Sequence, residues 1–180
     1  MKVLVVVDMQ NDFITGSLGT PEAQAIVPNV KKKIEEYHKN GDLIVFTRDT
    51  HYANYLHTKE GEKLPVEHCI ENTWGWEIAD GLRCDEYIIN KGTFGSNNLI
   101  RYILAKHDFC HSSNEHFTEI EVIGLCTDIC VVSNALLLKA TFYNDCDISV
   151  DATCCAGVTP ETHEAALKTM EMCQINVKRG

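Results

Sequence analysis

The sequence predicts an α/β fold: one domain in which helices cover both faces of a mostly parallel six-stranded sheet. Short apolar runs alternate with helical patterns along the whole chain, without repeats or low-complexity tracts. The length of 180 residues suits a single domain, residues 1–180, with a sizeable core. Helices between successive strands imply right-handed crossovers, which produce a three-layer α/β/α architecture.

The strands are predicted from apolar runs bounded by polar turns. In chain order they cover Lys2–Val7, Leu43–Thr47, Glu86–Ile89, Glu121–Leu125, Ile148–Asp151 and Asn176–Lys178. The helices between them show apolar residues at helical spacing. They cover Ala25–Asn40, Trp74–Gly81, Asn97–His107, Asp128–Tyr143 and Pro160–Met172. Gly41 is placed to end the first of these helices, and Thr159 with Pro160 to begin the last.

One segment, Lys106–Thr118, breaks this alternation and is interpreted as a solvated connecting loop. Its metal-binding residue types leave a second metal site as the alternative. They are His107, Cys110, His111 and His116.

Composition excludes several classes of protein. A net charge of -10 argues against a nucleic-acid partner. No apolar run is long enough to span a bilayer, and Met1 leads directly into a strand, so we expect a cytoplasmic protein without a membrane partner. Nine cysteines in a regular α/β chain of this length are expected to be reduced thiols, with Cys154 and Cys155 structural.

Cys130 is the leading candidate for a nucleophile. An alternating strand ends at Leu125, a short polar turn follows, and a long apolar helical pattern runs from Val131 to Tyr143. A thiol in the first helical turn lies near unpaired backbone N–H groups that favour a thiolate and can receive an oxyanion. The alternative is that Cys130 is a small buried hydrophobic residue.

Two further polar residues follow predicted strands. Asp8 comes directly after the first strand, and Lys91 comes directly after the third. Because the carboxyl ends of parallel strands gather at one edge of the sheet, Asp8, Lys91 and Cys130 are expected to converge there. Taken singly, Asp8 could be a helix cap and Lys91 a surface lysine.

A second group of residues predicts a metal site after the second strand. Asp49 and His51 are two residues apart on extended chain, so their side chains point the same way. His57 and His68 follow. One carboxylate with two or three imidazoles suits zinc, with iron or manganese as alternatives, and leaves positions for water or substrate.

Three motifs resemble the signatures of isochorismatase-like cysteine hydrolases. They are the stretch from Val6 to Phe13, the Lys91–Gly92 turn and the stretch from Gly124 to Val131. The resemblance extends over essentially the whole chain. The order Asp49, His51, His68 resembles the metal site of the nicotinamidase (pyrazinamidase) branch, and His57 matches a fourth ligand found in part of that branch.

The resemblance implies hydrolysis of a small-molecule amide through a thioester, within pyridine nucleotide metabolism and NAD salvage. Asp8 would take the thiol proton, Lys91 would hold the pair in its charged state, and the backbone N–H groups of Cys126 and Cys130 would form the oxyanion hole. A divalent metal, zinc first, would bind the pyridine nitrogen and orient the ring. The resemblance also implies a cis Leu125–Cys126 peptide bond. We expect a homo-oligomer.

The sequence departs from the nicotinamidase pattern at several positions. Pro65 stands where many members have a pocket tryptophan, and Cys126 replaces a residue that is commonly alanine. Phe13, Trp74 or Trp76 could supply the aromatic wall instead. Asn72 with Thr73 also replaces a common Gly-Thr pair.

Two alternatives to a nicotinamidase therefore stay open. One is another carboxamide, carbamoyl or ureido amidohydrolase of the same superfamily. The other is a non-catalytic zinc or redox protein that uses the thiols of Cys126 and Cys130.

Overall fold

The computed structural model describes residues 1–82, 87–112 and 116–180, with the side chains of residues 111 and 112 also left aside. Six strands form one sheet in the order β3-β2-β1-β4-β5-β6. Every pairing between neighbouring strands is parallel. The strands are β1 Lys2–Val7, β2 Leu43–Asp49, β3 Tyr87–Lys91, β4 Glu119–Leu125, β5 Asp147–Ala156 and β6 Asn176–Lys178.

The described residues form five α-helices between these strands. They are α1 Asn11–Ile14, α2 Pro21–Asn40, α3 Asn97–Ser112, α4 Val132–Phe142 and α5 Pro160–Met172. Helix α4 packs between α3 and α5, which makes these three one layer, whereas α2 packs against β1, β2, β4 and β5. The predicted three-layer α/β/α fold is confirmed.

The predicted signals at Gly41 and at Thr159 with Pro160 are confirmed, whereas α2 begins at Pro21, before its predicted start at Ala25. Thr20 accepts a hydrogen bond from the Ala23 N–H at the start of α2, and Gly41 ends that helix in the left-handed region, with φ 71°. Thr159 and Thr162 form a capping box at the start of α5, directly before Pro160.

The core lies between the layers. Strand β1 is buried from Val3 to Val7, and β4 is buried from Ile120 to Leu125, as expected for central strands covered on both faces. Gly124 lies where these strands meet. Its φ is 115°, and a Cβ there would lie 2.1 Å from the Val7 carbonyl oxygen, so only glycine fits.

The predicted helix Trp74–Gly81 is wrong. This segment consists of turns. Its carbonyls at Gly75 and Glu77 accept hydrogen bonds from the N–H groups of Asp12 and Asn11, and Ala79 donates to Met9. Pairing with the start of α1 therefore replaces the internal hydrogen bonds of a helix.

The solvated-loop interpretation of Lys106–Thr118 is also wrong for most of its described part, because α3 continues to Ser112. The His107 ring packs against Phe117 and Phe142, at centroid distances of 5.4 and 5.7 Å. Cys110 is buried. Residues 113–115 and the side chain of His111 lie outside the described residues. Of the residues described, His107, Cys110 and His116 belong to no group of potential metal ligands.

Other differences concern element ends. Strand β3 reaches Lys91, two residues beyond its predicted end, and Glu86 lies outside the described residues. The predicted helix Asp128–Tyr143 begins as a π-helical turn, Thr127–Val131, before α4. Strand β5 extends to Ala156, so the buried Cys154 and Cys155 are strand residues. The eight cysteines of the described part are all free thiols.

No helix among the described residues is both long and apolar enough to cross a membrane.

Candidate active site

The candidate site lies at the carboxyl ends of the central strands. The strand order reverses direction between β1 and β4, and ligands of open α/β sheets bind in the crevice at such a switch point. Asp8 follows β1, and Cys130 lies in the π-helical turn that follows β4. Lys91 ends β3, two strands away from β1, and its side chain spans that distance.

The structure brings these three side chains into direct contact. Lys91 Nζ lies 2.6 Å from Asp8 Oδ2 and 3.5 Å from Cys130 Sγ. All three residues are buried. The Asp8 carboxylate lies close enough to the Cys130 sulfur to raise the pKa of the thiol. Nucleophile, base and cation therefore form one contiguous group.

The electrostatics of this group favour a neutral thiol at rest. Burial, followed by the nearby Asp8 carboxylate, raises the pKa of Cys130 well above its ordinary value, while Lys91 opposes the rise. Cys130 does lie in a first helical turn, here the π-helical turn, but burial beside a carboxylate outweighs the thiolate stabilisation expected of that position. Deprotonation of Cys130 therefore needs a nearby base, and Asp8 is the carboxylate that acts most strongly on the thiol.

Lys91 keeps its charge in this buried place. Burial opposes the ammonium form, but the carboxylates of Asp8 and Asp49 and the Cys130 sulfur raise the pKa of Lys91 above its ordinary value. Burial raises the pKa of Asp8, and Lys91 opposes that rise. The Thr47 hydroxyl donates to Asp8 Oδ1 at 2.7 Å, which fixes the carboxylate.

A group of potential metal ligands adjoins Lys91. Asp49, His51 and His68 are buried, and their ligand atoms lie within 4.8 Å of one another. Asp49 faces both groups, because its Oδ1 lies 3.5 Å from Lys91 Nζ and its Oδ2 lies 3.0 Å from His51 Nε2. The candidate nucleophile and the candidate metal site are therefore connected through Asp49.

The donor atoms fit a bound divalent ion. His51 Nε2 is buried and has no hydrogen-bond partner among the described groups, although Asp49 is close. His68 Nδ1 lies 2.8 Å from the Val66 carbonyl, which can only accept, so Nδ1 carries the hydrogen and the Nε2 lone pair faces Asp49. Two imidazole nitrogens and one carboxylate oxygen thus converge, which is a donor set that suits zinc, iron and manganese.

His57 is not brought into this group. It ends a short 3₁₀ helix, Tyr55–His57, and its side chain is exposed. Glu60 lies nearby instead, with Oε1 at 3.7 Å from His51 Nε2 and 3.9 Å from His68 Nε2. Glu60 is the potential fourth ligand that sequence reasoning missed. No sequence signal favoured it over the neighbouring acidic residues.

The motif after β1 contains Asp8 and also two side chains that form hydrogen bonds to the backbone of the candidate metal site. The Gln10 side chain donates to the Asp49 carbonyl at 2.9 Å and accepts from the Asp49 N–H at 2.7 Å. Asp12 Oδ2 accepts from the Cys69 N–H at 2.7 Å, next to His68. These two side chains therefore tie the metal-site residues to β1.

A cavity of about 610 Å³ opens onto both groups. Asp49, His68 and Cys130 line it together with Phe13 and Phe94. This volume lies within the range of small-molecule sites, which is roughly 300–1,000 Å³.

The aromatic side chains of the cavity differ in part from those predicted. Phe13 is confirmed as a lining residue, whereas Trp74 is 62% exposed and does not line the cavity. Trp76 is buried under Arg48 and donates to Thr50. Phe94 lines the cavity instead and follows the Lys91–Gly92 turn.

The turn that carries Cys130 has an unusual backbone. The Leu125–Cys126 peptide bond is cis, as the resemblance predicted. The Cys126 carbonyl accepts hydrogen bonds from the N–H groups of Ile129 and Val131, at 3.1 and 3.0 Å. Asn134 Nδ2 donates to the Cys130 carbonyl at 2.8 Å.

Comparison with known proteins now decides the family. The family model described as "Isochorismatase domain" matches residues 2–178. The chain belongs to the isochorismatase family.

Within this family the chain resembles nicotinamidases. It is 26% identical to the nicotinamidase of Saccharomyces cerevisiae, over 98% of this chain and 99% of that protein. It is 32% identical to an Arabidopsis thaliana protein named as a probable inactive nicotinamidase, over 97% of this chain and 89% of that one.

A solved structure of this family shares the whole fold. The pyrazinamidase of Pyrococcus horikoshii, determined in complex with zinc, superposes with a TM-score of 0.83. It is 28% identical, and the match covers 99% of both chains. These matches place the chain in the nicotinamidase branch of the isochorismatase family and support its assignment as an amidohydrolase.

Proposed function

We propose that this protein is a metal-dependent cysteine amidohydrolase that converts nicotinamide to nicotinate and ammonia. The observation that carries the proposal is the contact of Lys91 with Asp8, Cys130 and Asp49 at the wall of one cavity. Cys130, Asp49 and His68 line the same cavity, and Lys91 connects them to Asp8 behind its wall. The similarity to nicotinamidases and to a zinc-bound pyrazinamidase supports the choice of substrate and metal.

The first half of the reaction forms a thioester. Asp8 takes the proton from the Cys130 thiol as the sulfur attacks the carboxamide carbon. Negative charge develops on the carbonyl oxygen, and we assign its stabilisation to the backbone N–H groups of Cys126 and Cys130. Protonated Asp8 then gives its proton to the amide nitrogen, the C–N bond breaks, and ammonia leaves.

The second half of the reaction consumes water. Asp8, again a carboxylate, takes a proton from a water molecule whose oxygen attacks the thioester carbon. Collapse of this intermediate breaks the C–S bond and releases the carboxylic acid. The Cys130 sulfur then recovers the proton held by Asp8. Lys91 keeps a positive charge beside both groups throughout, which limits the cost of the buried negative charge.

Asp49, His51 and His68, with Glu60 beside them, are the residues that would hold the metal ion. When bound, such an ion supplies a Lewis-acid site that can hold a pyridine ring nitrogen. Gln10 fixes the backbone of Asp49, and the Val66 carbonyl fixes the His68 tautomer. These supports orient the donors before any ligand binds.

Ammonia release by purified, metal-loaded protein is the test of this function. We expect turnover of nicotinamide and pyrazinamide, with a ureido substrate such as an N-carbamoyl amino acid much slower. A preference for the ureido substrate would replace the proposed substrate with the carbamoyl alternative. Absence of turnover on all three substrates would contradict the proposal and place the chain with the relative named as probably inactive.

A further inference from the structure

We propose that His163 is a positioning residue for amide hydrolysis, acting through Thr127 on the turn that carries the nucleophile. A hydrogen bond of 2.8 Å joins His163 Nδ1 to Thr127 Oγ1. His163 lies on α5, outside every motif that predicted the site, and does not line the cavity. This role rests on the proposed amidohydrolase function.

Thr127 is the first residue of the turn, so its side-chain contacts affect how the turn is oriented. It follows Cys126, the first proposed oxyanion donor, and begins the π-helical turn that ends one residue after Cys130. Its side chain is fully buried, so its hydroxyl needs a partner inside the protein. That partner is the His163 ring.

The His163 ring is itself held in place. A Cβ added to Gly157 would lie 2.9 Å from the His163 Cβ, so the backbone before α5 approaches this side chain closely. One residue further along, the Val158 N–H donates to both carboxylate oxygens of Asp128, at 3.2 and 3.1 Å. Two links therefore connect the turn to the start of α5, and His163 supplies the one that is partly buried, whereas the Asp128 link is exposed.

The other side of the turn is held separately. Asn134 Nδ2 donates to the carbonyls of Cys130 and Phe94, and its Oδ1 accepts from the Ser96 N–H. These bonds fix the end of the turn near Cys130, whereas the Thr127–His163 bond fixes its beginning near Cys126. Both ends must be fixed if two N–H groups are to point at one oxyanion.

The physical consequence concerns the transition state more than substrate binding. An oxyanion donor stabilises charge that develops only during reaction, so its misalignment lowers kcat and leaves KM largely unchanged. Loss of one such donor costs about 10²–10³ in kcat. A partial misalignment is expected to cost about 10-fold.

Paired substitutions test this role. Thr127→Val and His163→Leu remove the hydrogen bond at similar volume, whereas Thr127→Ser and His163→Asn keep a polar atom near the same place. We expect the first pair to lower kcat for nicotinamide by about 10-fold with KM within about twofold. The second pair is expected to stay within about threefold of the unmodified protein. The double variant Thr127→Val with His163→Leu should lose no more than either single one, because both remove one interaction.

Ser149→Ala is the control for a purely structural effect. Ser149 is also a fully buried hydroxyl, but it donates to Glu119 at the opposite end of the sheet. We expect it to lower the thermal midpoint without changing kcat. Unchanged kcat in Thr127→Val and His163→Leu would overturn the inference. An equal loss in the Ser and Asn variants, or a matching rise in KM, would overturn it as well.

Hydrogen exchange of the peptide covering residues 126–131 gives a readout that does not need turnover. Faster exchange is expected in His163→Leu and not in His163→Asn. If the unmodified protein releases no ammonia from any carboxamide, the proposed function fails, and this comparison still decides whether His163 holds the turn. Equal exchange in both variants would overturn the positioning role.

Discussion

Two clusters of charged residues, one buried and one partly buried, lie on the same sheet, and they are built differently. One is the candidate site at the carboxyl ends of β1 to β4. The other lies under α2 and consists of two lysines, a tyrosine and three carboxylates; we call it the lysine network. Its members are Lys33, Tyr37, Glu119, Glu121, Asp151 and Lys178.

Every carboxylate of the lysine network has a matched partner. Glu121 accepts from the Tyr37 hydroxyl at 2.7 Å and lies 2.8 Å from Lys178 Nζ. Asp151 lies 2.8 Å from Lys33 Nζ. None of these residues lines the cavity. Each carboxylate of the network is paired with at least one lysine, which is how folded proteins tolerate buried charge.

In the candidate site, the carboxylates do not each have a cation of their own. One cation, Lys91, faces the two carboxylates of Asp8 and Asp49, and His51 Nε2 has no hydrogen-bond partner among the described groups. The cavity opens beside them. A cluster of charged residues therefore does not by itself indicate a functional site in this protein. Charged and polar atoms that lack a partner of their own and lie beside a cavity do indicate one.

The largest expected difference between the two clusters is in catalysis, and it is tested by removing the nucleophile. Cys130→Ala should reduce ammonia release by about 10⁴-fold or more while leaving the fold and metal content unchanged. Cys126→Ala is the matched control in the same turn and should stay active. Substantial residual turnover in Cys130→Ala would remove Cys130 from the nucleophile role.

A second effect concerns metal. His51→Ala and His68→Ala each remove a direct ligand and should weaken metal binding by at least about 100-fold, measured by elemental analysis after dialysis. His57→Ala should retain its metal, because His57 is exposed and outside the group. Glu60→Gln should weaken binding more than His57→Ala. The opposite ranking of Glu60 and His57 would show that the local chain rearranges around the ion.

Substitutions in the lysine network should lower the free energy of unfolding and leave catalysis unchanged. Lys33→Met leaves Asp151 without its 2.8 Å partner, and we expect a loss of about 2 kcal/mol in the free energy of unfolding. Since Lys33 is partly exposed, this is below the roughly 3–5 kcal/mol of a fully buried pair. kcat should not change. A large fall in kcat at unchanged metal content would mean that the two clusters are coupled.

The smallest effect is a pH dependence of stability from Glu119. Burial acts to raise the pKa of Glu119, but hydrogen bonds from Lys178, Ser149 and Lys2 outweigh it and lower the pKa to about 2 from an ordinary value of 4.5. A lowered pKa contributes stability that is present above about pH 4.5 and is lost as the pH falls toward 2. The thermal midpoint should fall across this window, and less so in Glu119→Gln. An equal fall in both proteins would assign the effect to other carboxylates.

The expected order of these effects follows from the difference between the clusters. In the site, each group has a chemical role that no neighbour can replace. In the network, Glu119 and Glu121 each have several partners, so the loss of one partner leaves others in place.

Local sequence patterns predicted most of the helices and strands correctly. The apolar run of β1 and the signals at Thr159 and Pro160 were read correctly because strand burial and helix capping act over a few residues. The segment at 74–81 was misread because its backbone hydrogen bonds go to residues 9–12, far away in the chain. The extension of α3 was misread because His107 packs on Phe117 and Phe142.

The sequence by itself determined the α/β class and the parallel sheet. It also determined that Asp8, Lys91 and Cys130 come together, because the carboxyl ends of parallel strands share one edge of the sheet. Only the tertiary structure decided that Glu60 and not His57 faces the imidazoles, that Phe94 and not Trp74 lines the cavity, and that His163 touches Thr127. The physical reason is that side-chain contacts between distant segments depend on loop paths and helix packing. Neither has a periodicity that can be read along the chain.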